Sequence, residues 1–420
     1  MSRCIVGLAA VLAFAQKPPE SATYLKPHLP SWISLGGEYR SRVEAFKGLA
    51  YREGNDDFYA LSRFRLNLTL KPHSLVTVFA QAHDSQAWGR DQRGFPPFAE
   101  NSIDLRQAYV ELGATESKTF GLRVGRQEFV FGDQRLVGNA GWPNGARSFD
   151  AVRATVRGNG ARLDAFASTV VVIRDGTFDK HQKGNNFRGL YGDFTRLVPG
   201  QAIEPFFFWR VAPGAIDFKT AGLRALGKLP VNLDYVTTMA VQSGGYGTQD
   251  LRAWAGSWQM GHTLAKRKWK PRLSGEYNFA TGDDNPSDRR RQTFETLYPT
   301  PHDIWGLADQ VGWRNLHHWR SGVEFKPAPK WRVLANYHSW WRASLYDHLY
   351  TPLGAISVRS PGPSAGRHIG QGSDLQGFYV VDPHLSIAGG ITHIYPGEFL
   401  KRAAPGASYT YPYVMLTWAF

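Results

Sequence analysis

The residues with the clearest chemistry in this sequence are arginines, which cluster with a few acids between residues 122 and 157. The segment reads LRVGRQEFVFGDQRLVGNAGWPNGARSFDAVRATVR, and its charged positions are Arg123, Arg126, Glu128, Asp133, Arg135, Arg147, Asp150, Arg153 and Arg157. A guanidinium stays charged and offers a planar fork of donors to carboxylates, so a row of arginines in a wet channel would bind carboxylate groups. Alternatively, each arginine only pairs with an acid across a protein wall.

The elements that must position such arginines are visible in the stretch LSRFRLNLTL at residues 61–70. Arg63 and Arg65 alternate there with Phe64 and Leu66, and the alternation continues to Leu70. Successive side chains of a strand point to opposite faces, so this pattern predicts a strand with one polar and one apolar face.

Similar alternating segments recur along the whole chain, including LVTVFAQAH, RQAYVEL, DAVRATVRG and RLSGEYNFA. Tight turn signals such as KPHS (71–74) and RGNGAR (157–162) separate some of them, which indicates antiparallel neighbours. Longer connections are expected at 84–101, 174–189, 281–312 and 346–368. Short turns at one end and long loops at the other are typical of outer-membrane barrels.

The N-terminus predicts export. Residues 1–15 combine a basic start with a short apolar run and the triplet Ala13-Phe14-Ala15, the pattern of a signal peptide, and residues 16–30 would form a periplasmic lead-in. The one cysteine, Cys4, lies in this leader, so no disulfide or thiolate site is expected in the mature protein. No apolar run reaches the ~20 residues of a membrane-spanning helix, so a membrane crossing would require a closed barrel.

Composition favours a membrane barrel with an anionic partner. Aromatic residues make up 14% of the chain, with 14 Trp and 18 Tyr, as in barrels that carry interfacial girdles. The net charge of +14 suggests an anionic partner, and export makes nucleic acid an unsuitable one. We therefore predict an all-β, antiparallel, up-and-down transmembrane barrel at residues 31–420, with about 16–18 strands by its length. It would close with YVMLTWAF, whose terminal Phe420 is the kind of residue through which the barrel assembly machinery would engage the chain.

Three blocks of this sequence resemble the alginate export family of outer-membrane barrels. They are GRQEFVFGDQRLVG (125–138) with Trp142, Asn144 and RSFDAVR (147–153); EYNFATGDDNPSD (276–288) with TFETLYPTPHDIWG (293–306); and HIGQGSDL (368–375) with PGEFLK (396–401). The resemblance implies 18 strands, a monomer, and an electropositive, arginine-lined constriction that conducts an anionic polyuronate outward. Carried over by motif, the residues expected to line that path are Arg126, Asp133, Arg135, Arg147, Asp150 and Arg153. Strand parity alone adds Arg63, Arg65 and Arg106.

Other residues and motifs bear on alternative functions. Asp283, Asp284 and Asp288 in TGDDNPSD could supply oxygen ligands to Ca²⁺, although such residues are also ordinary turn formers, and no other cofactor is expected. A passive exporter of an anionic polysaccharide is the leading hypothesis. An anion-preferring general or sugar-acid uptake porin would have the same fold. An outer-membrane hydrolase is the third hypothesis, but no catalytic motif supports it.

Overall fold

The computed structural model describes residues 29–89, 99–113, 119–300 and 302–420. Within these ranges the regular structure is almost all β-strand, with a short α-helix at Glu398–Ala403. The predicted signal peptide and all but the last two residues of the predicted lead-in lie outside the described residues. Across the described ranges, no helix is long and apolar enough to span a bilayer.

Eighteen strands form the wall of the molecule. They are β1 (Ile33–Phe46), β2 (Asp57–His73), β3 (Val76–Trp88), β4 (Asn101–Leu112), β5 (Phe120–Gln127), β6 (Phe149–Gly158), β7 (Ala161–Val172), β8 (Lys180–Phe194), β9 (Gln201–Ala212), β10 (Ile216–Leu229), β11 (Leu233–Tyr246), β12 (Gln249–Thr263), β13 (Arg272–Ala280), β14 (Leu316–Phe325), β15 (Trp331–Trp341), β16 (His368–Val380), β17 (Leu385–Pro396) and β18 (Tyr409–Ala419).

The wall is a closed up-and-down barrel. Each strand pairs antiparallel with the next along the chain. β1 also pairs with β18, where Arg40 faces Thr417 and Glu44 faces Tyr413. This closure leaves no free edge in the wall and confirms the predicted fold class at 18 strands.

Side chains alternate across the wall as the sequence predicts. In β2, Phe64 is 40% exposed on the outside, whereas its neighbour Arg63 is 4% exposed on the inside. The outer faces of other strands carry exposed apolar residues such as Val152, Leu190 and Val241. A continuous apolar outer band of this kind requires lipid around it, because a soluble monomer rarely exposes a large apolar patch.

The two ends of the barrel differ. One end has short turns, such as 74–75 and 159–160, and the other has the long segments 128–148, 281–315 and 342–367. The C-terminus closes the short-turn end: the Phe420 and Gly37 backbones exchange hydrogen bonds of 3.1 and 2.8 Å, and the Phe420 ring packs 6.0 Å from that of Phe64. By this arrangement the short-turn end is periplasmic and the long segments are extracellular.

Two long segments fold into the barrel instead of extending away from it. We call residues 128–148 inner loop 1 and residues 281–315 inner loop 2. They meet through a parallel bridge between Val137 and Tyr298, where the Tyr298 N–H donates to Leu136 (2.9 Å) and the Gly138 N–H donates to Tyr298 (2.8 Å). The expected connection at 174–189 is shorter than predicted, because β8 already begins at Lys180.

The hydrophobic core therefore lies inside the barrel, between the inner loops and one side of the wall. Phe129 and Phe131 of inner loop 1 pack against wall aromatics, with ring centroids 4.4 Å from Phe166 for the first and 4.7 Å from Tyr191 for the second. Tyr298 of inner loop 2 joins the same cluster, 4.9 Å from Phe187. This packing fixes the backbone of both inner loops and hence the charged side chains that they carry.

Candidate functional site

A cluster of inward-facing arginines lines the barrel interior along β1 to β4. We call Arg40, Arg63, Arg65 and Arg106 the basic wall. Among the described residues the basic wall has two carboxylate partners at ion-pair distance, Glu38 on Arg63 and Glu128 on Arg106. Four guanidiniums thus share two carboxylates, and the wall keeps an excess of positive charge.

Inner loop 1 is held against the basic wall by the arginines themselves. Arg40 and Arg63 both donate to the Gly141 carbonyl, at 3.0 and 2.8 Å, and Arg40 also donates to the Trp142 carbonyl at 2.8 Å. The Asn144 side chain anchors the same loop by donating to Ser62 (2.9 Å). Backbone carbonyls position these guanidiniums without neutralising their charge.

Among the described residues, Arg65 makes the fewest hydrogen bonds of the four basic-wall arginines. Its Nε lies 3.3 Å from Nδ1 of His83, and one of its terminal nitrogens, Nη2, is buried without a hydrogen-bond partner among the described residues. A buried unsatisfied donor on a charged group is costly, so such a group often marks a place where water or a ligand completes the bonding. Arg65 is therefore the donor in this wall that is best prepared for an incoming carboxylate.

Arg106 reaches the interior because β4 carries a bulge. The register shifts so that Gln107 faces Gln81 and Leu105 faces Ala82, which leaves Arg106 as the extra residue. Strict alternation would have placed it on the outer face with Val110, whereas it is 4% exposed and donates to Gln81 Oε1 at 2.5 Å. Arg106 therefore faces inward, as predicted, but the bulge and not strand parity is the reason.

Arg135 lies at the far side of the interior in a balanced ion-pair network. It donates to Glu276 Oε1 (2.9 Å), Asn278 Oδ1 (2.8 Å) and Asp133 Oδ2 (3.2 Å), and Glu276 also pairs with Arg320. Burial by itself raises the pKa of the Asp133 carboxyl, but the guanidiniums of Arg135 and Arg224 outweigh it and hold that pKa below its ordinary value. The two arginines and two acids of this network cancel, so it braces inner loop 1 against β13 and β14.

Arg147 is half-buried and has no acid partner among the described residues. It donates to the carbonyls of Pro299 (2.9 Å) and Gly138 (3.4 Å), and its guanidinium carbon is 5.5 Å from the Tyr298 ring. Arg210 lies on the same ring at 5.1 Å and donates to Thr296 (2.7 Å). Neither arginine makes an ion pair with a carboxylate in the described part of the chain. Burial lowers the pKa of Arg147 to about 10, so it stays charged at neutral pH and adds to the positive interior.

Arg153 faces inward but is neutralised by the wall. Its Nε donates to Asp164 in β7 at 3.0 Å, and its guanidinium lies 5.3 Å from the Phe131 ring. Arg153 thus forms the ion pair with an acid of the wall that the sequence offered as the alternative to carboxylate binding. Through its contact with Phe131, Arg153 supports inner loop 1 from the barrel wall.

Arg126 and Asp150 do not line the interior, and for these two residues the predicted placement is wrong. They pair with each other at 2.8 Å, but they alternate in step with Val124 and Val152, which are each 47% exposed on the outer face. Arg126 also donates to the Asp179 carbonyl at 3.0 Å, at the extracellular end of the wall. Arg126 is two residues from Val124 in β5, so the first arginine of the motif shares the outward face of that valine.

The acids of TGDDNPSD form a turn. Asp283 Oδ1 accepts the Asn285 N–H (3.2 Å), Asp288 Oδ1 accepts the Arg290 N–H (2.7 Å), and the Asp284 N–H donates to Gln292 (3.3 Å). In the ranges that the structure describes, no three His, Cys, Asp or Glu side chains come together as a metal site. The carboxylates of Asp283 and Asp288 thus have the geometry of ordinary turn formers, and Ca²⁺ binding stays a prediction.

A second polar site lies at the extracellular end of inner loop 2. It is a pocket of about 380 Å³ whose lining includes Arg291, Arg314, Tyr246 and Tyr350. Both arginines pair with Glu295, at 2.5 and 2.9 Å, and each lies on a tyrosine ring, at 4.5 Å for Arg291 and 4.1 Å for Arg314. Two further acids, Asp283 and Asp347, also line this pocket, so it has no excess of positive charge.

Several interior residues were absent from the prediction. Arg40 and Arg42 lie in the segment GEYRSRVEAF, which alternates as clearly as β2, so parity could have identified them. Arg210 and Arg314 had no such signal, because Arg210 contacts Thr296 of inner loop 2, which is distant in sequence, and Arg314 lies in that loop outside any strand.

Comparison with known protein families identifies relatives of this chain. A sequence profile for the alginate export family matches residues 31–414. The chain belongs to the alginate export family. A comparison with curated protein sequences gave no match.

Several solved structures have the same fold as this chain, although their sequences are only distantly similar to it. OccK8 (OprE) of Pseudomonas aeruginosa has a TM-score of 0.64 and 12% identity, covering 92% of this chain and 98% of its own. OpdK of the same organism, solved with vanillate, has a TM-score of 0.63 and 10% identity over 92% and 98%. OccK11 (OpdR) has a TM-score of 0.60 and 13% identity over 92% and 95%. The family and the fold together support a channel in the bacterial outer membrane.

Proposed function

We propose that this protein is a passive exporter of an anionic polysaccharide of the polyuronate type, with the basic wall as its selective surface. The observation that carries the proposal is the uneven charge of Arg40, Arg63, Arg65 and Arg106 against Glu38 and Glu128. Arg147 adds a further charge that backbone carbonyls hold in place. These groups give the interior a fixed positive potential.

The chemistry of a polyuronate suits this wall. Such a polymer carries one carboxylate on each sugar, so several carboxylates can contact several guanidiniums in turn. Conduction requires binding that favours entry but still permits release, and Glu38 and Glu128 weaken each site by competing for the same arginines.

Uptake of small acids through the same pore is the second candidate. It is favoured by the shared fold with OpdK, whose solved structure contains vanillate, a carboxylate of low mass. The family and its structural neighbours are channel proteins, which favours transport over the hydrolase hypothesis. A monomeric state and engagement of the assembly machinery through Phe420 stay predictions.

The test is channel block in a planar bilayer. We expect purified full-length protein to be anion-selective and to be blocked by polymannuronate and polyguluronate but not by neutral dextran of equal length. Arg65→Gln should weaken block by uronates at least fivefold, because Arg65 has no ion-pair partner among the described residues and its loss leaves no orphaned acid. Arg126→Gln, on the outer face, is the matched control and should leave block unchanged.

Three outcomes would contradict the proposal. Equal block by dextran would mean that size rather than charge determines passage. Block by vanillate-sized acids but not by polymers would favour uptake. Equal effects of Arg65→Gln and Arg126→Gln would show that the basic wall does not contact the polymer.

A further inference from the structure

A row of basic residues crosses the outer face of the barrel at one height. Arg188 in β8 faces Trp209 in β9, which faces Lys219 in β10, then Ser243 in β11 and Arg252 in β12. Neighbouring strands are ~4.8 Å apart, so the three basic side chains repeat at ~10 Å. We call these five residues the outer basic row.

The cations of the outer basic row are exposed and open to a ligand. Arg188 and Lys219 lie on the Trp209 ring, with their charged atoms 5.1 and 5.7 Å from its centroid. Within the described residues, none of the three makes an ion pair within 4.0 Å. Two acids, Asp217 in β10 and Asp250 in β12, lie in the next outward row towards the extracellular end, and Asp217 accepts the Trp209 N–H at 2.7 Å.

The next outward row, two residues nearer the periplasm on each strand, is entirely apolar. Its members are paired in the same order and are Leu190, Phe207, Ala221, Val241 and Trp254. Polar and apolar outward side chains therefore change over between two adjacent rows. Such a change marks the level at which lipid acyl chains give way to headgroups.

A groove lies directly below the outer basic row. It has a volume of about 1030 Å³, is lined by Leu223, Met239, Val241 and Trp254, and extends up to Ser243, Arg252 and the acid Asp250. Leu223, Met239 and Val241 are each at least 45% exposed, so the groove opens to the lipid side of the wall. The hairpins above it are short, at 213–215 and 247–248, and leave it uncovered from the extracellular side.

We propose that this face binds a phosphorylated, acylated lipid of the extracellular leaflet. The phosphates would contact Arg188, Lys219 and Arg252, and an acyl chain would occupy the groove. Arginine and lysine are the side chains that recognise phosphate, and basic clusters at a membrane boundary bind anionic lipid headgroups. The coincidence of cations at the headgroup level with an apolar groove beneath them favours a lipid over a soluble anion. A second protein copy is less suitable, because the three cations would face the same cations across a twofold axis.

The experiment uses full-length protein in detergent micelles, titrated with bisphosphorylated hexa-acyl lipid A and followed by native mass spectrometry. The test variant is R188Q/K219Q/R252Q. The control variant is K266Q/R267Q/K268Q, which removes the same charge from the exposed periplasmic turn after β12. We expect the test variant to bind lipid A at least tenfold more weakly and the control to bind within twofold of the unmodified protein. A difference in gel mobility between heated and unheated samples confirms that each variant is folded.

Two further arms distinguish the sources of the signal. Dephosphorylated lipid A should bind at least tenfold more weakly than the bisphosphorylated form, and Val241→Trp, which fills the groove, should weaken binding of lipid A. Inorganic phosphate at equal concentration should not displace it. Equal binding by the test variant, equal binding of dephosphorylated lipid A, no effect of Val241→Trp, or displacement by free phosphate would each overturn the proposal.

Discussion

The ion pair between Glu38 and Arg63 allows the sign of the interior field to be tested from both sides. Glu38 lies among Arg40, Arg63 and Arg65, and its side chain is 31% exposed, so it meets the water of the lumen. Glu38→Gln removes a negative charge from the basic wall, and Arg63→Gln removes a positive one. The Gly141 carbonyl that Arg63 contacts at 2.8 Å also accepts from Arg40 at 3.0 Å, so inner loop 1 keeps this anchor in Arg63→Gln.

The expected size follows from the charges. Two unit charges at ~4 Å interact by ~1 kcal/mol in bulk water and by ~4 kcal/mol at an effective dielectric constant of 20. The smaller value suits a hydrated lumen and corresponds to ~5-fold in ion occupancy. We therefore expect Glu38→Gln to raise the ratio of anion to cation permeability about fivefold and Arg63→Gln to lower it by a similar factor. The double variant should return close to the unmodified ratio.

The assay is the reversal potential under a KCl gradient in a planar bilayer. The shifts should shrink in ~1 M salt, where the screening length falls to ~3 Å. If both single variants shift selectivity in the same direction, the cause is a moved loop and not the field. If the double variant fails to restore the ratio, the two charges do not act through a common potential, and the argument is refuted.

Three further predictions concern stability. Gly37→Ala should lower the melting temperature and slow barrel closure, because a Cβ there would lie 2.5 Å from the Phe420 ring. The control Gly377→Ala, which has open space around it, should have neither effect. Differential scanning calorimetry measures the melting temperature of both variants, and gel assays follow their folding. Glu276→Gln should cost ~3 kcal/mol in urea unfolding, because two buried guanidiniums lose a shared carboxylate, and a cost below ~1 kcal/mol would argue against the network. Asp133 has a lowered pKa, so its contribution to stability is present above the ordinary value of 3.8 and is lost as the pH falls through its folded pKa. The stability difference between unmodified protein and Asp133→Asn should therefore be constant near neutral pH and vanish in acid, and a difference that persists in acid would contradict this.

Local alternation predicted the wall and much of its polarity. Arg63, Arg65 and Arg153 face inward as expected, because the side-chain period of a strand is two and the apolar set must face lipid. The same rule applied to LRVGRQ would have placed Arg126 outward with Val124, so the motif misled where parity was sufficient. Arg106 is the reverse case, since only the β4 bulge, which depends on pairing with β3, turns it inward.

The sequence by itself determined the fold class, the range of strand number and the excess of positive charge, because these depend on local periodicity, chain length and composition. Only the tertiary structure decided which arginines keep an uncompensated charge. Arg135 finds Glu276 across the barrel, whereas Arg147 finds only backbone carbonyls, although both belong to the same motif. The reason is physical: charge compensation depends on contacts between inner loop 1, inner loop 2 and distant strands, and those contacts form only when the barrel closes around the loops.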